Sequence, residues 1–94
     1  MIVMNVTYRC KPGMRESFLK RISAEGIDSA SRSEAGNFKY DYYIPADGCD
    51  DLLLVEKWQD AAALADHGKQ PHFARLGVLK AEYVSETVIE KFEQ

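Results

Sequence analysis

Residues 52–58 read Leu52-Leu53-Leu54-Val55-Glu56-Lys57-Trp58, and the architecture turns on this stretch. In a strand, Leu52, Leu54, Glu56 and Trp58 fall on one face and Leu53, Val55 and Lys57 on the other. Both faces carry large apolar groups, so both need cover. Just upstream, Phe38, Tyr40, Tyr42 and Ile44 alternate with Asn37, Lys39, Asp41 and Tyr43. This is a second strand with an aromatic row on one face. Pro45-Ala46-Asp47-Gly48 between them is turn chemistry, and so short a connection makes the pair an antiparallel hairpin.

Working outward, Ile2, Met4, Val6, Tyr8 and Cys10 alternate with Val3, Asn5, Thr7 and Arg9, a first strand ended by Lys11-Pro12-Gly13. Met14, Phe18 and Ile22 recur every four residues, with charged residues between them. The spacing predicts an amphipathic helix, weakened at Gly26, continuing through Ile27 and Ala30 toward Ser33 and stopped by Gly36. After the hairpin, Asp60 caps a short helix through Ala61–Ala65. Pro71 starts another helical segment, with Phe73, Leu76 and Leu79 on its buried stripe. Thr87–Phe92 is a last strand.

The order strand, helix, strand, strand, helix, strand is the ferredoxin-like split arrangement, βαββαβ, an α+β fold with a four-stranded antiparallel sheet and helices on one face. One helical layer leaves the other face of the third strand wet. A second copy of the chain is the simplest cover, so a two-fold homodimer is expected, sheet against sheet.

The chain has 94 residues, which sets one domain, 1–94, as the expectation. Its scaling predicts a folded surface of about 5,500 Å². At 46% hydrophobic and 29% charged it has the balance of a globular domain rather than a disordered one. The net charge of −3 speaks against nucleic acid and acidic membrane surfaces as partners. No apolar stretch approaches a membrane span, and the N-terminus reads as strand rather than signal peptide. Two cysteines, Cys10 and Cys49, lack CxxC spacing. Reduced thiols and a cytoplasmic location are the simplest reading, with a single disulfide left open.

Standard cofactor signatures are absent: there is no GxGxxG, P-loop, GxSxG or HExxH. His67 and His72 are five apart, which does not make a helical zinc pair, and Asp47, Asp50 and Asp51 lack EF-hand spacing. More informative is an ordered series: Lys11-Pro12-Gly13, Glu34-Ala35-Gly36-Asn37-Phe38-Lys39-Tyr40, Glu56-Lys57-Trp58-Gln59-Asp60, Asp66-His67 and Pro71-His72-Phe73. In this order and spacing it resembles the antibiotic biosynthesis monooxygenase (ABM) family, which includes quinol monooxygenases, over almost the whole chain.

The resemblance implies a dimeric α+β barrel and an oxygenase that needs no metal, flavin or other cofactor. Its substrates would be an aromatic quinol-like molecule and molecular oxygen. Such chemistry asks for a dry pocket, a base, and donors that hold an oxyanion. His67 and Tyr42 are the candidate catalytic residues. Tyr40, Trp58, Phe73, Phe38 and Asn5 are the candidate substrate-binding residues. Each has a plainer reading. His67 suits a helix C-terminus, the aromatics suit a core, and Asn5 suits either pocket or dimer face. His72 reads as a surface or capping residue, and Glu56 as one half of an ion pair with Lys or Arg from another strand. Heme-degrading relatives carry a Trp and a ligand His where this chain has Asp66 and a residue near Gly77, so heme chemistry is not expected. An isomerase of a small polar metabolite, phosphorylated or not, as in a relative that shares the His near 67, and a non-catalytic ligand-binding stress-response barrel are the rival functions.

Overall fold

β1 (Ile2–Cys10) is the axis of the sheet. It pairs antiparallel with β3 (Asp51–Trp58) on one side and β4 (Val84–Glu93) on the other. β2 (Asn37–Tyr43) pairs with β3, giving the order β2-β3-β1-β4 in a computed structural model that describes residues 1–94. The expected ferredoxin-like α+β fold is the one observed. The accessible surface, 5333 Å², is close to the value predicted from length.

Alternation sets the two faces as expected. Ile2, Val6, Tyr8, Leu52, Leu54 and Trp58 are buried on the inner face, beneath helices that supply Phe18, Ile22, Ile27, Leu76 and Leu79 to the same core. The opposite face carries Val3, Asn5 and Thr7 of β1 against Val55 and Leu53 of β3, all only half-buried. Two rows cross the inner face in register. Tyr40 faces Glu56, which faces Met4. Tyr42 faces Leu54, which faces Val6.

The structure departs from the sequence reading in four places. The single helix expected up to Ser33 is two, α1 (Arg15–Ala24) and α2 (Ile27–Arg32), because Gly26 turns left-handed at φ 69° and starts a new axis. The register of β2 slips between Asn37 and Lys39, which removes Phe38 from the aromatic row and leaves it 59% exposed. After α3 (Ala61–His67), α4 (Pro71–Tyr83) runs longer than its predicted stripe and passes directly into β4. Its last residue, Tyr83, is buried and stacks on Phe18 at 5.8 Å. Phe73, expected on that stripe, is 45% exposed.

The segment joining α2 to β2 determines where the site forms. Its Gly36 has φ 81°, and its carbonyl accepts the Gln59 N–H at 2.8 Å, tying the loop to the end of β3. Asp60 Oδ1 then accepts the Ala63 N–H at 2.9 Å and starts α3 against the same loop. A Cβ at Gly36 would lie 2.7 Å from Ala63 Cβ, inside any real contact distance. Gly13 has a similar φ, 74°, but open space around it. Gly13→Ala is expected to cost about 1–2 kcal/mol, the left-handed backbone alone. Gly36→Ala should cost about 1–3 kcal/mol more, from overpacking. Denaturation midpoints of the two variants check this, and equal losses would show that the loop is not wedged against α3.

Candidate active site

α3 ends at His67, and the chain turns at once into α4, with the Gln70 N–H bonded to the His67 carbonyl at 3.1 Å. This turn brings His67 and His72 to one point despite their non-helical spacing. The imidazole of His67 is 3% exposed. Its Nδ1 lies 2.6 Å from Glu34 Oε2, and His72 Nε2 lies 2.8 Å from the same oxygen. A carboxylate only accepts, so both imidazoles direct N–H groups at it. The proton of neutral His67 therefore sits on Nδ1, and Nε2 keeps a free lone pair. Glu34 thus fixes both the tautomer and the direction of the ring.

Beyond Nε2 stands Glu56, whose Oε1 is 3.9 Å away, outside hydrogen-bond distance. Glu56 accepts instead from Trp58 Nε1–H at 3.0 Å. The expected ion pair with Lys or Arg is replaced by this indole contact. Burial pushes the Glu56 carboxyl above the usual glutamate range, against the opposing pull of the Trp58 hydrogen bond and the nearby His67. Aromatic rings enclose His67: Trp58 at 4.6 Å between centroids, Phe73 at 5.2 Å and Tyr40 at 5.7 Å.

His67 borders a cavity of about 290 Å³ between sheet and helices. Met4, Val6 and Tyr8 of β1 form its floor, and Glu56 and Ile89 flank them. Leu64, His67, Phe73 and Lys80 form the helical wall. The arrangement can hold a flat apolar molecule and offer it one basic nitrogen and one buried carboxyl. Glu34, His67 and His72 also place three potential ligand atoms within 4.8 Å of one another, a set that a divalent ion such as zinc accepts. The two hydrogen bonds account for their convergence without one.

The structure sorts the residues picked from sequence. His67 and Phe73 line the cavity. Trp58 and Tyr40, 0% and 1% exposed, pack behind His67 rather than bordering the space. Tyr42 shares the inner face with Tyr40 but lines a separate open cleft of about 460 Å³ with Arg32 and Asp41. Its hydroxyl is buried without a hydrogen-bond partner, and burial raises its pKa. Asn5 pairs with Val55 and Glu90 on the opposite face, away from the cavity, because its parity is odd. Phe38, lifted out by the β2 bulge, does not reach it either.

Sequence reasoning missed the roles of Glu34, Glu56, His72 and Lys80. The surface reading of His72 is corrected by its contact with Glu34, which leaves its side chain 16% exposed. Lys80 was findable, since Phe73, Leu76 and Lys80 follow helical spacing along one side of α4.

Fold and cavity together define a small α+β domain with a carboxylate-tethered imidazole beside a half-open, largely apolar cavity. The chain belongs to the antibiotic biosynthesis monooxygenase family, whose model matches residues 1–76. The Bacillus subtilis (strain 168) protein named "Putative monooxygenase YcnE" is 36% identical over 73 residues, 78% of this chain and 75% of that protein. Among solved structures, a conserved protein from Bacteroides thetaiotaomicron VPI-5482 is 32% identical with a TM-score of 0.85, covering 99% of this chain and 96% of that one. A structure from Nitrosomonas europaea under the same family name has a TM-score of 0.89 over 100% of this chain and 98% of that one. At 21% identity it is a likeness of fold. The family and its relatives support a monooxygenase-type activity.

The buried Glu56 makes stability depend on pH in a definite direction. Its folded pKa lies above the unfolded value of about 4.3, so the folded state holds the proton more tightly. The protonated carboxyl favours folding at low pH, and that advantage is lost as pH rises from the unfolded through the folded pKa. Gln stays neutral and still accepts from Trp58. Glu56→Gln is therefore expected to be more stable than wild type at pH 7, with the gain shrinking to nothing below about pH 4. Thermal unfolding across pH measures this. A variant less stable than wild type at neutral pH would show that the ionised carboxylate is the form the fold requires.

Proposed function

We propose that this chain is a cofactor-independent monooxygenase acting on an aromatic quinol-like small molecule. The observation that carries the reading is His67, its Nδ1 held by Glu34 and its Nε2 free toward the cavity. A phenol entering the cavity gives its proton to Nε2. The resulting imidazolium is stabilised by the Glu34 carboxylate on its other side. The electron-rich anion left behind reduces molecular oxygen directly. One oxygen atom enters a ring C–H bond, and the quinol ends as a hydroxyquinone. The other oxygen leaves as water with the two hydrogens and two electrons that the quinol gives up on becoming a quinone, so no outside reductant is needed. The apolar walls keep bulk water from the anion. Phe73 offers a ring face to the substrate, while Trp58 and Tyr40 hold His67 in place.

The working unit in this reading is one ABM-type domain, 1–94, paired with a second copy, in the cytoplasm. No helix is long and apolar enough to cross a membrane. Val3, Leu53, Val55 and Val88 are half-buried on the helix-free face of the sheet, and Phe92 beside them is 48% exposed. A second sheet laid on this face supplies the cover that β3 requires.

Oxygen uptake with a panel of naphthohydroquinones and anthrones tests the activity. Wild type is expected to consume oxygen with substrate present, and His67→Ala to lower the rate about 10²–10⁴-fold. Uptake unaffected by His67→Ala would sink the assignment. Tight ligand binding without uptake would make the protein a binding barrel. Separately, sedimentation at micromolar concentration should give about twice 10.6 kDa, and a persistent monomer would remove the sheet-on-sheet pairing.

A further inference from the structure

Lys80 is the one cationic residue lining the cavity, and its surroundings are unusual for a lysine. Its Nζ lies 5.4 Å from the ring centroid of Tyr8, a residue only 4% exposed, so the ammonium of this half-buried lysine sits over a buried ring. Like the other lysines of the chain it makes no salt bridge with a carboxylate, and it makes no side-chain hydrogen bond; what sets it apart is its place at the cavity, over the Tyr8 ring. Burial alone depresses its pKa. Helix-end duty does not explain it, because Lys11 Nζ is the ammonium that approaches the Ala81 carbonyl near the end of α4, at 3.4 Å. Lys80 also borders a smaller void of about 100 Å³ shared with Tyr8 and Phe73, at the same end of the cavity.

The cavity therefore has two chemically different ends. Met4 pairs with Glu56, so the base end, with His67 and Glu56, lies at Met4. Lys80 lies over Tyr8, four residues along the same strand, about 13 Å away. Phe73 lines the cavity and also touches the smaller void beside Lys80. Lys80 is half-buried, so its ammonium is partly desolvated and has no counter-ion; a ligand that brings the anion recovers that cost. The chain's net charge of −3 gives no general attraction for anions, which makes this local cation the feature that selects them.

We propose that Lys80 is the specificity-determining residue of the cavity: it receives an anionic substituent, such as a carboxylate, on the end of a fused-ring aromatic ligand remote from the hydroxyl that meets His67. This rests on the aromatic occupant proposed above and adds its charge and orientation. Lys80 lies beyond residues 1–76, so the family match does not supply it.

The test uses two ligands that are not turned over, 6-hydroxy-2-naphthoate and 2-naphthol, which differ by one carboxylate at the far end of the same ring pair. Calorimetric titration of the full chain at low salt should give the carboxylate at least about tenfold tighter binding. Lys80→Met, an unbranched apolar side chain one atom shorter, should abolish that preference; the readout is the ratio of the two affinities, so a change common to both ligands drops out. Lys80→Arg should retain part of it. Unfolding curves that match wild type confirm that Lys80→Met is folded, and Lys80→Gln serves the same purpose if it is not. Equal affinities in wild type, no binding of the carboxylate, or a preference that survives Lys80→Met each overturn the proposal. Neither ligand is oxidised, so the result is independent of turnover. Absence of oxygen uptake would leave a confirmed preference intact, and uptake of neutral quinols without one would reject only the role of Lys80.

Discussion

One carboxylate oxygen organises the site. Glu34 Oε2 receives two imidazole N–H groups, from His67 at 2.6 Å and from His72 at 2.8 Å. Its own loop leaves α2, His67 ends α3, and His72 lies in the first turn of α4. The ends of three helices, one of them more than thirty residues from the other two, are therefore fastened at a single atom. Charge-assisted hydrogen bonds of this length are among the stronger ones, and their directions are fixed. Glu34 has an 11% exposed side chain, so its remaining acceptor capacity is largely shielded from water. A carboxylate in that position needs donors, and the two histidines are what the fold supplies.

That arrangement depends on close backbone approach. Gly36 lets the loop carrying Glu34 pass against Ala63 and Gln59, where no side chain fits. The hydrogen bond from Gln59 to Gly36 sets the height of the loop relative to β3, and the Asp60 cap sets where α3 begins. From that start, seven residues of helix place His67 over Trp58. β3 supplies the opposite wall with a residue that its apolar face would not otherwise hold. Glu56 is kept on the inner face by Trp58, two positions along the same strand and on the same side. The indole thus serves as core filler at its rings and as hydrogen-bond donor at its nitrogen.

The fold was legible because it rests on periods. Alternation in residues 2–10, 38–44 and 52–58 and the fourfold spacing of Met14, Phe18 and Ile22 are local signals, and the turn residues Pro45-Ala46-Asp47-Gly48 mark the connection between the middle strands. The misplaced details were those in which a tertiary constraint overrides a period. Gly26 reads as a weak helix position, yet the second axis it begins lets both Ile22 and Ile27 face the core. Phe38 continues an alternation that the bulge in β2 breaks, and no residue type in the stretch marks that slip. The site was legible in part. The aromatic and histidine positions stood out as types, but the partner of each did not. Glu34 and His67 are 33 residues apart, and only the packed loop and turn join them. The one-atom meeting of His67 and His72 was hidden because their spacing argues against a shared helical face.

The same geometry separates the two buried carboxyls by role. Glu34 meets two donors, and its charge is useful there because it holds two N–H groups in place. Glu56 meets one neutral donor and an imidazole nitrogen that has already given its proton side to Glu34. With little to stabilise its charge, burial favours its protonated form. His67 stands between a carboxylate that orients it and a carboxyl inclined to keep its proton. The ring is thereby polarised along one axis, from Glu34 through Nδ1 to Nε2, which faces Glu56 at the cavity wall. The opposite end of the cavity is bounded by an ammonium over a phenol ring rather than by another acid. A molecule lying along the floor of Met4, Val6 and Tyr8 meets an imidazole and a carboxyl at one end and an amino group at the other. A symmetric apolar pocket would bind such a ring in either direction, whereas two ends of different chemistry give it one.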